Sequence, residues 1–427
     1  MTRWWSGPLD AQGLAWSAVG EAVAATSAVA AARGASVVVD TSEGLVAGSF
    51  AAIEHLRVDG QAPAAWAPLS GFVAARDGWV RLHANYPHHA AALGVALGVS
   101  SRAHLERAVA ALAALEVETR VREAGGIAVA VRTPQEWAEH GHGSVTAAEP
   151  WVRVEAESPR PALPPLLSGA RPLAGVRVLD LTRVIAGPTC SQLLACLGAD
   201  VLRIDPPHRP ELLDQYLSNG MGKRSAELDL RADAAVLHER LLPSADVLLL
   251  GYRPGSLARF GLDPDALRER YTGLVVGSLS AWGETGPWAQ RPGFDSIVQA
   301  ASGIATICAS CAADRGADPS SQAAPGALPV QALDHASGYV LAARVLDLLA
   351  RARAGIVRIS LLGAARTLMD LPAPPPGDVV APQVPLVDLA TPHGRLTAVP
   401  PPIRLDGRTI EAPITGYGAA EAVWAQT

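Results

Sequence analysis

Cysteine, net positive charge and long apolar runs are all scarce in this 427-residue chain, and each shortage narrows what it can do. It has 4 cysteines, Cys190, Cys196, Cys308 and Cys311. Cys308 and Cys311 form a C-x-x-C, a spacing open to redox or zinc chemistry. No second C-x-x-C accompanies it and no histidine pair sits at matching spacing, so the two read as small apolar loop residues and no metal is expected. Lys and Arg together number 35 against 41 Asp and Glu, a net charge of −6. A general nucleic-acid binder would be basic, although a basic pocket inside an acidic protein stays compatible. The opening MTRWWSGPLD has neither the charged segment nor the apolar run of a secretory signal. The longest apolar stretches, such as Ala22 to Ala32, are alanine-rich and too short to span a bilayer. The expectation is a cytoplasmic protein that binds neither nucleic acid nor membrane. G-x-S-x-G, P-loop and H-E-x-x-H patterns are absent as well. What is present is a globular composition, 49% hydrophobic and 18% charged, in a chain long enough for two domains.

Periodicity divides the chain into four parts. Residues 1–154 read as a small α+β domain. An alanine-rich helix covers about Ala15 to Arg33, VVVDTS (Val37 to Ser42) is a strand, and Glu43 to Leu56 is a helix. Val80 to Asn85 follows an Asp77-Gly78 turn as a strand, Ser101 to Glu123 has helical spacing, and Ile127 to Val131 is a strand. Thr133-Pro134-Gln135-Glu136 then opens a helix. The proline-rich residues 155–171 read as a linker. Over 172–371 strands and helices alternate, the signature of a parallel sheet, with strands at Val176 to Leu181, Val201 to Asp205, Val247 to Leu250 and Leu274 to Leu279. The proline-rich residues 372–427 form a tail that wraps over another part of the molecule. The expected fold class is α/β, a Rossmann-like parallel-sheet domain plus a smaller α+β domain.

One internal echo links the ends. A constant shift of 318 residues places Trp16 on Asp334, Gly20 on Gly338, Arg33 on Arg351 and Ser42 on Ser360. Both copies read helix, basic residue, apolar strand, serine, helix.

Several residues could carry chemistry. The unit VRVLDLTRVIAGPTCSQLLACLGADVLRID is strand–helix–strand, a motif that holds ligands at the carboxyl ends of its strands. Only Gly187 and Gly198 fall in its turn and helix, so the G-x-G-x-x-G of nicotinamide and flavin enzymes is missing. An NAD-type oxidoreductase resting on Asp205 therefore ranks last. Asp334, in LPVQALDHASGYVLAARVLDLLARA, stands at a loop-to-helix junction. There it would face helix-terminal N–H groups and serve as an anion or nucleophile, or simply as an N-cap. Lys223-Arg224-Ser225 follow a glycine-containing turn, where two cations suit phosphate or merely coat a solvated loop. Arg253 and Arg259 follow the strand that ends at Leu250. Asp295 starts a helix and reads most simply as a cap. Adjacent His88 and His89 would point about 100° apart on a helix, against a shared metal.

These pieces, in their order, resemble the family III CoA-transferases. PLAGVRVLDLTRVIAGPTCSQLLACLGADVLRIDPP is similar to that family's opening strand–helix–strand, and GKRSAELDL to its Lys-Arg-Ser loop. RPGSLARFGL, GETGPWAQRPGFDSIVQAASG and LDHASG follow, covering about Leu173 to Leu371, with a weaker match at PPPIRLDG. VVVDTSEGLVAGSF, DGWVRLHANYPHH and AGGIAVAVRTPQEW resemble later parts of the family displaced to the front, so the small domain comes first and the connecting helix is present twice. The resemblance implies a CoA-transferase acting on an acyl-CoA and a carboxylic acid, with coenzyme A as substrate and a homodimer as assembly. It makes Asp334 the nucleophile, passing through an aspartyl-acyl anhydride and an aspartyl-CoA thioester. It gives Lys223 and Arg224 the CoA phosphates, with Arg209, Arg253 and Arg259 as additional contacts. The first copy carries Trp16 at the nucleophile's place and would be inert. The alternatives are a 2-methylacyl-CoA racemase-like isomerase and a non-catalytic CoA-binding homologue. Racemisation is disfavoured because Phe294 stands where those relatives hold a histidine. No glycine-rich run is found to match the loop many family transferases use, Gly125-Gly126 being too short.

Overall fold

Six parallel strands and one antiparallel edge strand form the central sheet of the computed structural model, which describes residues 3–64, 66–309 and 324–425. From edge to edge the strands are Val152–Pro159, Arg353–Ser360, Val275–Ser280, Val247–Leu250, Arg177–Leu181, Asp200–Asp205 and Lys223–Glu227. Only Val152–Pro159 runs antiparallel. Taken in chain order from Arg177, the six parallel strands stack 6-5-4-1-2-3, the doubly wound arrangement whose order reverses between Arg177–Leu181 and Val247–Leu250. Their side chains alternate between two cores because a strand presents successive residues to opposite faces. Val178, Val201, Leu249, Val275 and Val357 enter one, and Leu179, Leu202, Leu248, Val276 and Ile356 the other.

The domain expectation needs correction at its front end. Trp4, Leu14, Val19, Val46, Phe50 and Leu56 lie in the same core as the sheet's first face. The helix Ala11–Ala32 packs along the helix Ala332–Ala350. Its 22 residues are long and apolar enough to cross a membrane, more than the run read from Ala22 to Ala32. Here ten of them are buried within the fold. Only the stretch from about Leu69 to Ala130 has a core of its own, built on a three-stranded sheet of Gly71–Ala75, Gly78–Leu82 and Ala128–Ala130 under the helices Pro87–Leu97, Arg102–Ala110 and Ala114–Glu123. The supposed linker starts as the edge strand Val152–Pro159, held by the antiparallel ladder to Arg353–Ser360. In the tail, Gly394–Ala398 pairs with Val387–Thr391 on one side and Arg57–Val58 on the other, and Ala420 N–H bonds Ser225 O across the far sheet edge.

The internal echo is structural. Arg33 and Arg351 both end their helices, and Ser42 and Ser360 both cap the next ones, accepting from Leu45 N–H and Gly363 N–H. Gly338 is needed where it stands, because a Cβ there would lie 2.4 Å from Ala186 O; its counterpart Gly20 meets nothing within 4 Å. The repeat thus retains a glycine where packing does not ask for one. Trp16 packs on Trp4, ring centroids 5.5 Å apart.

Candidate active site

The carboxyl ends of the parallel strands open into a cleft of about 790 Å³. It spans the point where strand order reverses, with Leu181 and Arg183 on one side and Gly251 and Tyr252 on the other. Asp334 lines it, as do Arg209, Arg253 and Arg259. These three arginines are exposed, and among the described residues no carboxylate pairs with them, so their charge is available to an anionic ligand.

Asp334 is the third residue of the helix Ala332–Ala350, and only 6% exposed. The helix-terminal N–H groups expected to face it are taken by another carboxylate. Asp295 Oδ2 accepts from Leu333 N–H at 2.9 Å and from Asp334 N–H at 3.1 Å, while its Oδ1 accepts from Gln299. Gln299 Oε1 in turn accepts Leu328 N–H, which fixes the approach to the helix. Asp295 is therefore a cap, but of the Asp334 helix and not of its own. Sequence reasoning missed this because the partners are 38 and 39 residues apart. Burial, and then the Asp295 charge, hold the Asp334 carboxyl well above its ordinary range, and burial raises Asp295 to about 6.

Lys223 and Arg224 do not reach the cleft. They lie within the edge strand Lys223–Glu227 instead of on a loop before it. Lys223, the chain's single lysine, is fully buried; its Nζ donates to Pro188 O at 2.8 Å and sits 3.6 Å from Asp180. Burial lowers it to about 8. Arg224 forks onto Asp200 at 2.7 and 3.0 Å and donates to Val423 O. Both cations are consumed by contacts within the fold. Asp205 is likewise sealed, bonded by Arg203 at 2.7 and 2.9 Å, which removes the ribose-binding carboxylate an NAD site would need.

A buried charged group that the sequence did not reveal braces residues that line the cleft. Glu211 accepts from Arg203 at 3.0 Å, from Val184 N–H at 2.9 Å and from the Tyr86 hydroxyl of the small unit. Against the burial that raises it, Arg203 and Arg183 bring Glu211 down to about 2. Val184 has φ +69°, a conformation costly for a β-branched residue, and its bond to Glu211 holds it there. Arg183 lines the cleft directly after the first strand of the parallel set, the one place where strand position could have singled it out.

The histidines separate. His335 turns from the cleft, its ring 5.4 Å from Phe50, and burial lowers it to about 3. His88 and His89 both line the cleft, and Phe294 lines it too, stacked on His83 at 3.8 Å. Among the described residues no group of three or more His, Cys, Asp or Glu is placed to hold a metal. Cys308 is buried, and Cys311 lies outside the described residues.

The family model described as CoA-transferase family III matches residues 173–380. A probable fatty acyl-CoA transferase of Mycobacterium tuberculosis is 38% identical over 210 residues, 46% of this chain and 51% of that protein. A succinate–glutarate CoA-transferase of Agrobacterium fabrum is 36% identical over 155 residues, 32% of this chain and 39% of that one. Among solved structures, a CaiB/BaiF family protein from Brucella suis is 27% identical, covering 47% of this chain and 56% of that chain at a TM-score of 0.39. The chain spans about half the length, or less, of the curated relatives it matches. Over residues 173–380, just under half of its length, this chain is similar to CoA-transferase family III.

Proposed function

We propose that the protein transfers coenzyme A from an acyl-CoA to a carboxylic acid, with Asp334 as the covalent carrier. The observation that carries this reading is a buried carboxyl with an unusually high proton affinity lining an arginine-edged cleft at the strand-order reversal. Relatives named as acyl-CoA, succinate–glutarate and citramalate CoA-transferases support it.

An ionised Asp334 oxygen attacks the thioester carbonyl carbon, the C–S bond breaks, and CoA leaves as thiolate with an acyl–aspartyl anhydride behind it. The thiolate attacks the aspartyl carbonyl carbon and releases the donor's carboxylate, leaving an aspartyl-CoA thioester. The acceptor carboxylate attacks that thioester, frees the thiolate and forms a second anhydride. The thiolate then takes the acceptor's acyl group, and Asp334 is released as carboxylate. CoA stays bound throughout, a task for Arg209, Arg253 and Arg259 at the cleft. Because Asp334 must ionise, acylation rises with pH through its elevated pKa.

Isomerisation is less well supported, since Phe294 gives the cleft an apolar ring at the place a histidine would be needed. A cytoplasmic location and a homodimer complete the proposal. The test is peptide mass spectrometry after incubation with acetyl-, succinyl- or palmitoyl-CoA and hydroxylamine, run alongside transfer to an acceptor acid. A hydroxamate at Asp334 is expected. Transfer that proceeds with Asp334 unmodified, and persists in Asp334→Asn, refutes the carrier.

A further inference from the structure

The small unit sends a histidine, His89, into the lining of the cleft. His89 lies in the first turn of the helix Pro87–Leu97. Its ring stands edge-on to Phe294, centroids 6.0 Å apart at 73°, and edge-on to Tyr86 at 5.6 Å and 81°. Phe294 immediately precedes Asp295, whose carboxylate holds the Asp334 N–H. The imidazole thus reaches the cleft wall beside Phe294, and Asp334 lines the same cleft.

The ring's chemistry follows from its surroundings. Its Nδ1 is sealed from solvent and has no hydrogen-bond partner. Burial first, then His88, Arg209 and Arg183, lower its pKa to about 4, so the ring is neutral at ordinary pH. A neutral imidazole has one N–H and one bare nitrogen. Buried donors without acceptors are rarer than under-satisfied acceptors, which assigns the bare nitrogen to the sealed Nδ1 and the N–H to Nε2 of this cleft-lining ring. Two aromatic rings fix the side chain, so little reorganisation opposes its use.

We infer that His89 donates its Nε2–H to the acyl oxygen that becomes negatively charged as Asp334 is acylated, making it a further catalytic residue contributed by the small unit. The inference rests on the reading of Asp334 as acyl carrier. The proton stays on Nε2 throughout; the bond strengthens as charge builds on the oxygen and weakens as the carbonyl re-forms.

The experiment compares the full-length wild type with His89→Leu and His89→Gln, using whichever of acetyl-, succinyl- or palmitoyl-CoA labels the wild type. The rate of acyl addition at Asp334 is read by hydroxylamine trapping and peptide mass, and CoA affinity by thermal shift. The only lysine is buried, so side-chain amines add little background. Loss of a donor to a developing oxyanion costs about 10²–10³ in rate. His89→Leu should show that loss with CoA affinity unchanged, and His89→Gln, whose amide restores a donor, should recover at least tenfold. Wild-type acylation rates in His89→Leu, a Gln variant as slow as Leu, or a rate loss that tracks weakened CoA binding each overturn the role of His89 and leave Asp334 standing. No adduct in the wild type overturns both readings together.

Discussion

Asp334→Asn should abolish acyl addition and make the folded protein more stable, increasingly so as pH rises. In the native state two buried carboxyls lie together, with Asp295 oriented by two backbone amides and Asp334 held protonated by burial and by Asp295. In the unfolded chain an aspartate ionises at about 3.9. The folded state therefore binds the extra proton between that value and the raised pKa of Asp334, unfolding releases it, and wild-type stability falls with pH across the window. Each unit of pKa elevation corresponds to about 1.4 kcal/mol. Asparagine does not titrate, so the variant escapes this penalty. The melting temperature of the variant should therefore exceed that of the wild type at pH 8, by a margin that grows with pH across the window. Near pH 4.5 the two proteins should melt together. The assay is thermal unfolding of both from pH 4.5 to 8.5. A difference that stays flat with pH, or a variant that melts lower at pH 8, refutes a protonated Asp334.

Other expectations separate ligand-binding cations from structural ones. Lys223→Met strands the buried Asp180 carboxylate and should cost about 3–5 kcal/mol of stability, while the folded fraction binds CoA normally in calorimetry. The pair Arg253→Gln and Arg259→Gln should do the reverse. It should weaken CoA roughly tenfold, flatten the salt dependence of binding and leave the ligand-free melting temperature unchanged. Residues 172–371 expressed alone should be insoluble or bind a hydrophobic dye strongly, because they lose the Leu14, Val19, Phe50 and Leu56 face of their core. A well-behaved, cooperatively melting fragment would contradict the shared core.

The order of strands along residues 172–371, the alternation of strand and helix, and the nucleophile candidate were all legible in the sequence. Apolar strand runs and the turn before Asp334 are local signals, and hydrophobic periodicity reports local geometry. The echo between Trp16 and Asp334 was legible for the same reason, since a repeat is a comparison of two local patterns.

What only tertiary structure decided was which charges face the ligand. The Lys223-Arg224 pair looks available on paper, but the edge strand buries Lys223 against Asp180 and the tail closes on Arg224, leaving neither for phosphate. Arg183, Glu211 and Tyr86 meet across 125 residues between Tyr86 and Glu211, a separation no window of sequence spans. The same holds for Asp295, whose carboxylate caps a helix that begins 37 residues after it. Whether an ionisable group works or merely holds the fold depends on its desolvation and on the partners that long-range packing brings to it, and neither is encoded within reach of its neighbours in the chain.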